Sequence, residues 1–328
     1  GVGAEIGGHA GDATPAANLI ASVCDNLITH PNVVNASDIN EMPSNALYVT
    51  GATIDDLLQG YSGIRKVRSN RIAVLVNKSV SADIINLVSA ARAIMGIDAF
   101  IVELPEKLRM IAEFANDGQA SGTISGAQEA AEYLIGLDEY GAVAVITDIE
   151  IEKEVALHYV TEGGVNPWGG VEAKLTRIMT DILKVPVAHA PFGHTLGADW
   201  SEITDPRMAA EMISMTYGFC LLKGLHRAPE IVDSHIGITV EDIDVMISPD
   251  GLYGTPHECC EDHNIPVIYV RENKCIVQGK QYQDLLQKLP QDIYFASTYL
   301  EAAGMIQAMK LGISFESITR PLSPTQVL

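Results

Sequence analysis

The chain has 328 residues, 47% of them hydrophobic and 6% aromatic, with 42 acidic side chains against 21 basic ones and a formal net charge of −21. That apolar content supplies a sizeable core without a metal or disulfide staple, and the length suits one large α/β unit or two domains of ordinary size. A surface so negative argues against a nucleic-acid partner, and no apolar run approaches the roughly 20 residues that span a bilayer.

The cysteines, at 24, 220, 259, 260 and 275, are odd in number and irregular in spacing. They form no evident disulfide framework, which points to a reducing, cytoplasmic compartment. The chain begins at Gly1 rather than at methionine, which leaves room for a targeting segment ahead of it.

In chain order, the glycine-rich start through Gly11 reads as a loop. Thr14-Pro15 opens a helix, with threonine at the cap and proline in the first turn. A short strand at Asn26–Thr29 leads into the loop His30–Asn35, and Ala46–Thr50 is another short strand. Ile72–Val76 is an aliphatic run of the kind buried on both faces of a parallel sheet. A helix over Ser81–Met95, stopped by Gly96, and a strand over Ala99–Leu104 complete a β-α-β unit. A helix at Gly126–Ile135 and a strand at Ala142–Thr147 continue the alternation. The later half holds a glycine-rich loop at Gly163–Gly170, a helix at Val171–Leu183 and a strand at Val185–Ala188. A long helix at Pro206–Leu225 follows, then strands at Val245–Ser248 and Val267–Val270 around a short helix at Glu258–His263, and a last helix at Thr298–Lys310. This order predicts an α/β fold, mostly parallel and Rossmann-like with helices on both faces. If it has two lobes, the weakest point for a boundary separates residues 1–150 from 151–328.

In such sheets ligands bind beyond the carboxyl ends of the strands. That rule selects five segments. In the first, Gly7, Gly8 and Gly11 bring backbone amides toward a ligand ahead of a helix, while His9 and Asp12 add a proton donor or a metal ligand. The second runs from Gly163, Gly164 and Asn166 through Trp168 to Gly169 and Gly170; it resembles an anion cradle with a stacking indole, and Glu172 follows it. It lacks both the P-loop lysine and the dinucleotide glycine spacing, which disfavours NAD(P). The third segment holds His30, Asn32 and Asn35, the fourth His189, and the fifth Asp250. Each has a plainer reading as a turn former or a satisfied core group. His257, Cys259, Cys260 and His263 share helix faces, but one compact cluster falls short of the separated ligand pairs of a structural zinc site.

The segments Gly7–Pro15, Thr29–Asn35, Ala46–Val49, Val187–Pro191, Ile265–Ile268 and Glu272-Asn273 together resemble the domain-of-unknown-function family numbered 3326, found in bacteria and plants. The resemblance spans most of the chain and brings no activity with it; for a plant member a plastid is the alternative compartment. The residues themselves favour an enzyme acting on a small polar or anionic metabolite. Backbone amides of the two glycine loops would hold the substrate, and His9, His30 or His189 would move a proton. Asp12, Glu172 or Asp250 would orient the substrate or hold a divalent metal. Transferase, isomerase and lyase chemistry stay equally open, with a homo-oligomer among the expected states, and a non-catalytic ligand-binding or assembly protein is the alternative.

Overall fold

Five aliphatic residues in a row have no solvent side to face, and Ile72–Val76 is buried throughout, at the centre of a parallel sheet. The structure is a computed structural model, and it describes residues 4–6, 12–34, 42–137, 139–191, 217–276, 280–288, 292–325 and 327. Its elements begin with α1 (Thr14–Ala21), β1 (Leu27–Thr29), α2 (Pro31–Val34), β2 (Ala46–Tyr48), α3 (Gly51–Leu58), β3 (Ser62–Arg65), β4 (Ile72–Val76), α4 (Ala82–Met95) and β5 (Ala99–Glu103). They continue with β6 (Arg109–Phe114), β7 (Ala120–Ser125), α5 (Ala127–Ile135), β8 (Ala142–Thr147), β9 (Ile149–Glu150), α6 (Lys153–Glu162), α7 (Gly169–Leu183) and β10 (Val187–Pro191). After these come α8 (Tyr217–His226), β11 (Glu230–Asp233), β12 (Met246–Asp250), α9 (Thr255–Asp262), β13 (Val267–Lys274), α10 (Lys280–Lys288), β14 (Ile293–Ala296), α11 (Tyr299–Lys310) and α12 (Phe315–Ile318).

The fold is mixed α/β. The central sheet is parallel, with strand order β10-β8-β4-β5. Strand alternation sends Ile72, Val74, Ala142, Ala144 and Ile146 to one face, against α4 and α8. Ala73, Leu75, Val143 and Val145 go to the other, against α5 and α7. Helices therefore cover both faces, as the sequence predicts. α4 forms where expected, with the Ser81 hydroxyl accepting from the Ile84 amide and Gly96 ending the helix in a left-handed conformation. A second parallel sheet has the order β12-β13-β14, and β1 pairs with β2 in parallel.

The central sheet draws strands from both sides of residue 150, because β10 pairs along its whole length with β8. Two expectations are corrected. The loop expected at 30–35 contains α2, since Pro31 pre-sets the helical φ at its first position. The helix expected from Val171 begins at Gly169. Of the helix predicted over 206–225, the part before residue 217 lies outside the described residues.

A buried asparagine ties the start of the central sheet to α8. Asn70 Nδ2 donates to the carbonyls of Leu225 and Ala228, at 2.8 and 2.9 Å. Asn70→Ala should take this donor from the buried Ala228 carbonyl and leave the Leu225 carbonyl with only the Ala228 amide, lowering the unfolding free energy by about 1–3 kcal/mol, read as a lower urea midpoint with an unchanged slope. Among the described residues no helix is long and apolar enough to cross a membrane. All five cysteines are free thiols.

Candidate active site at the carboxyl edge of the central sheet

The crossover from β4 to β5 lies on one side of β4, and the path from β8 to β10 runs the other way. The strand order therefore switches direction between β4 and β8, where open α/β sheets hold their ligands. At this edge β4 continues into Asn77, whose side chain clamps the segment after β5. Its Oδ1 accepts from the Leu108 amide and its Nδ2 donates to the Leu108 carbonyl, both at 2.8 Å. β8 continues into Asp148. Its carboxyl is pushed above the usual range by partial desolvation, against the downward pull of Lys107 and His189.

His189 is the central group. On β10, Ala188 and Ala190 face α8, so the alternation turns His189 toward α7. Its side chain is fully buried, with Nδ1 2.9 Å from Glu172 Oε1 and Nε2 3.0 Å from the Thr147 carbonyl oxygen and 3.2 Å from the Thr147 hydroxyl. Glu172 occupies the first turn of α7, where the helix dipole favours a carboxylate. Both ring nitrogens thus face oxygen acceptors. With its proton on Nδ1 the ring donates to Glu172 and can accept from the Thr147 hydroxyl; with its proton on Nε2 it donates to the Thr147 carbonyl. Of the pair only Glu172 reaches solvent, at 20% side-chain exposure. His189, on the buried side, holds the Glu172 carboxyl in place through Nδ1.

Tyr48 ends β2 close by. Burial pushes its phenol up, and the charges of Cys220 and then Glu172 add to the shift. Sequence reasoning passed over Thr147, Asp148 and Tyr48, although all three stand at strand ends, where the carboxyl-edge rule points.

The glycine-rich approach to α7 is built differently from an anion cradle. Trp168 is buried, edge-on to Tyr159 with ring centroids 5.5 Å apart, so its indole is core and not a stacking platform. Asn166 Oδ1 accepts from the Trp168 amide at 3.0 Å and shapes the turn. Gly163 and Gly164 carry the chain out of α6 with positive φ. Gly170 serves close packing: a Cβ there would lie 2.2 Å from the Ala120 carbonyl oxygen and 2.5 Å from the Ser121 amide nitrogen. Backbone cannot yield to that clash, so Gly170→Ala should push the start of α7, and Glu172 with it, away from β7. The expected cost is about 3 kcal/mol in denaturant unfolding.

The remaining candidates fall into other neighbourhoods. His9, Gly7, Gly8, Gly11 and Asn35 lie outside the described residues. Asn32 is in α2. His30 follows β1 beside Gly51, and burial pushes its imidazole down to about 3. It is therefore a neutral hydrogen-bonding group at physiological pH. Asp12 lies near enough to Tyr299 to raise its phenol, although burial is the larger cause. Asn273, itself buried, exchanges hydrogen bonds with the Ile6 backbone at 2.8 and 3.2 Å and donates to the Tyr299 hydroxyl at 2.6 Å. The Thr14 hydroxyl donates to the Val33 carbonyl, which joins the first two motif segments.

Asp250, at the end of β12, accepts from the Tyr282 hydroxyl. In the cysteine–histidine segment, His257 Nδ1 accepts from the Gly254 amide at 3.2 Å and its Nε2 stands 2.8 Å from the Ser248 hydroxyl. Nε2 therefore carries the ring proton. No lone pair faces Ser248 to activate it, and neither nitrogen is free for a metal.

The model of a family described as a protein of unknown function, DUF3326, matches residues 1–319. The chain is also similar to a protein of Synechococcus sp. described as an uncharacterized lipoprotein, at 32% identity over 95% of this chain and 89% of that one. With nearly its whole length matched on both counts, the chain belongs to the DUF3326 family.

Proposed function

We propose that this protein is an enzyme that moves a proton on a small polar metabolite bound at the carboxyl edge of the central sheet, with Glu172 as the acid/base and His189 as its positioning partner. The observation that carries the reading is the Glu172–His189–Thr147 chain. The chain lies beside the switch point of the sheet, joins the carboxyl to a buried imidazole and leaves only the carboxyl open to solvent, which supports an acid/base role. Asp148, Glu150 and Glu172 stand at this edge against Lys107 and Arg109, and Arg109 is already paired with Glu150 at 2.6 Å. An uncharged polar substrate suits that balance better than an anion.

The test is an NMR screen of polar metabolites in D2O, scored for binding and for solvent deuterium entering the ligand at carbon. A metabolite that binds wild type and exchanges or turns over, with the exchange lost in Glu172→Gln, supports the reading. Exchange that persists in Glu172→Gln removes Glu172 from the role. Binding without any chemistry returns the protein to the class of non-catalytic ligand binders.

A further inference from the structure

A cavity of about 110 Å³ lies between α9, α10 and the first residues of β13 and β14. Ile265, Val267, Leu285 and Ile293 give it apolar walls, while the exposed acids Glu261 and Asp292 sit at its rim. Tyr269 lines it from β13; the residue is 0% exposed and its hydroxyl has no hydrogen-bond partner. The neighbouring polar groups are already committed. The Tyr282 hydroxyl donates to Asp250, and both nitrogens of His257 are occupied by Ser248 and Gly254. A buried donor left open in this way is costly, and it marks a place where an acceptor is missing.

The shape of the site narrows the occupant. His257 stacks between Tyr253 and Tyr269, with centroid spacings of 5.4 and 5.7 Å, and Tyr269 stacks in turn on Phe295 at 5.8 Å, so these ring faces are taken up by one another and the space beside them is set by its size. An apolar cavity of roughly 150 Å³ stays dry and takes up benzene, so a space of this order holds a single ring. The rim acids repel carboxylates. We propose that this cavity binds a small uncharged nitrogen heteroaromatic whose ring nitrogen accepts the hydrogen bond of the Tyr269 hydroxyl. The cavity lies toward the amino ends of β13 and β14, and it shares no residue with the Glu172–His189 site.

Pyridine and benzene are the probes, titrated by ligand-observed NMR into the full chain. Wild type should bind both. The ratio of pyridine to benzene affinity should fall about fivefold in Tyr269→Phe, the worth of one neutral hydrogen bond. Leu285→Trp, which fills the space, should abolish binding of both, with a circular-dichroism melt confirming that the variant is folded. Three results overturn the proposal: no pyridine binding to wild type, a ratio in Tyr269→Phe within twofold of wild type, or undiminished pyridine binding to folded Leu285→Trp.

Discussion

Glu172→Gln is expected to lower the turnover of the metabolite identified by the screen by about 10²–10⁴-fold, the usual worth of a positioned acid/base, while leaving the unfolding free energy within about 1 kcal/mol of wild type. The two effects separate because glutamine keeps the length and the acceptor oxygen that meet His189 Nδ1, and loses only the capacity to take up a proton. His189→Ala should behave in the opposite way. It removes a fully buried ring whose Nε2 bonds Thr147, so it opens a cavity and takes that partner away. A loss of about 2–4 kcal/mol follows from the combined terms.

Its catalytic signature is just as specific. Without the imidazole, Glu172 keeps its solvent reach but loses its hydrogen-bond partner, so the pH profile of kcat should shift rather than merely drop. Turnover in Glu172→Gln equal to wild type, or an unshifted kcat profile in His189→Ala, would remove the pair from the mechanism. A role confined to packing would change stability in His189→Ala and leave the profile of the surviving activity unmoved.

What the sequence disclosed follows from how locally each feature is determined. β4, α4 and β8 are legible because a fully aliphatic run and a capped 3.6-residue period each need only their own residues. The hairpin of β6 and β7 escaped notice, although Asp117-Gly118 marks its turn and Gly118 adopts φ +83°. Its strands, RMIAEF and ASGTIS, are too polar for a buried run and alternate only loosely. Their stability comes from α7 packed across them, which no window on the hairpin contains.

The same logic governs the site. His189 and Glu172 both stand out by residue type and by position, one just past a predicted strand and the other closing a glycine-rich turn, yet their partnership is tertiary: 17 residues separate them, and only the packing of α7 against β10 brings them within 2.9 Å. Trp168 shows the converse. A tryptophan beside two glycines reads as an exposed platform, but Gly170 lets α7 approach the Ala120–Ser121 backbone, and Trp168 is buried against Tyr159.

The remaining large effect concerns acid stability, and its sign follows from His257. Burial pushes this imidazole down to about 4, from an ordinary value of 6.5. Protonation at Nδ1 would also set one N–H against the Gly254 amide that now donates to it. The native state therefore keeps the ring neutral where the unfolded chain has already taken up a proton. The contribution is fully present above pH 6.5 and is lost as pH falls from there to about 4. Over that window the shift amounts to roughly 3 kcal/mol. His30, pushed down to about 3 by burial, acts in the same direction over a wider range.

His257→Phe isolates the effect. The ring still stacks between Tyr253 and Tyr269, but Ser248 and the Gly254 amide lose a partner, so the variant should be less stable than wild type at pH 7.5 by about 1–2 kcal/mol. It has no proton to take up. Every other titrating group is common to both proteins, so the unfolding free energies measured in urea should converge as pH falls and cross before pH 4, with the variant the more stable below the crossing. Parallel pH dependences would show that the native state takes up a proton on His257 as readily as the unfolded chain does.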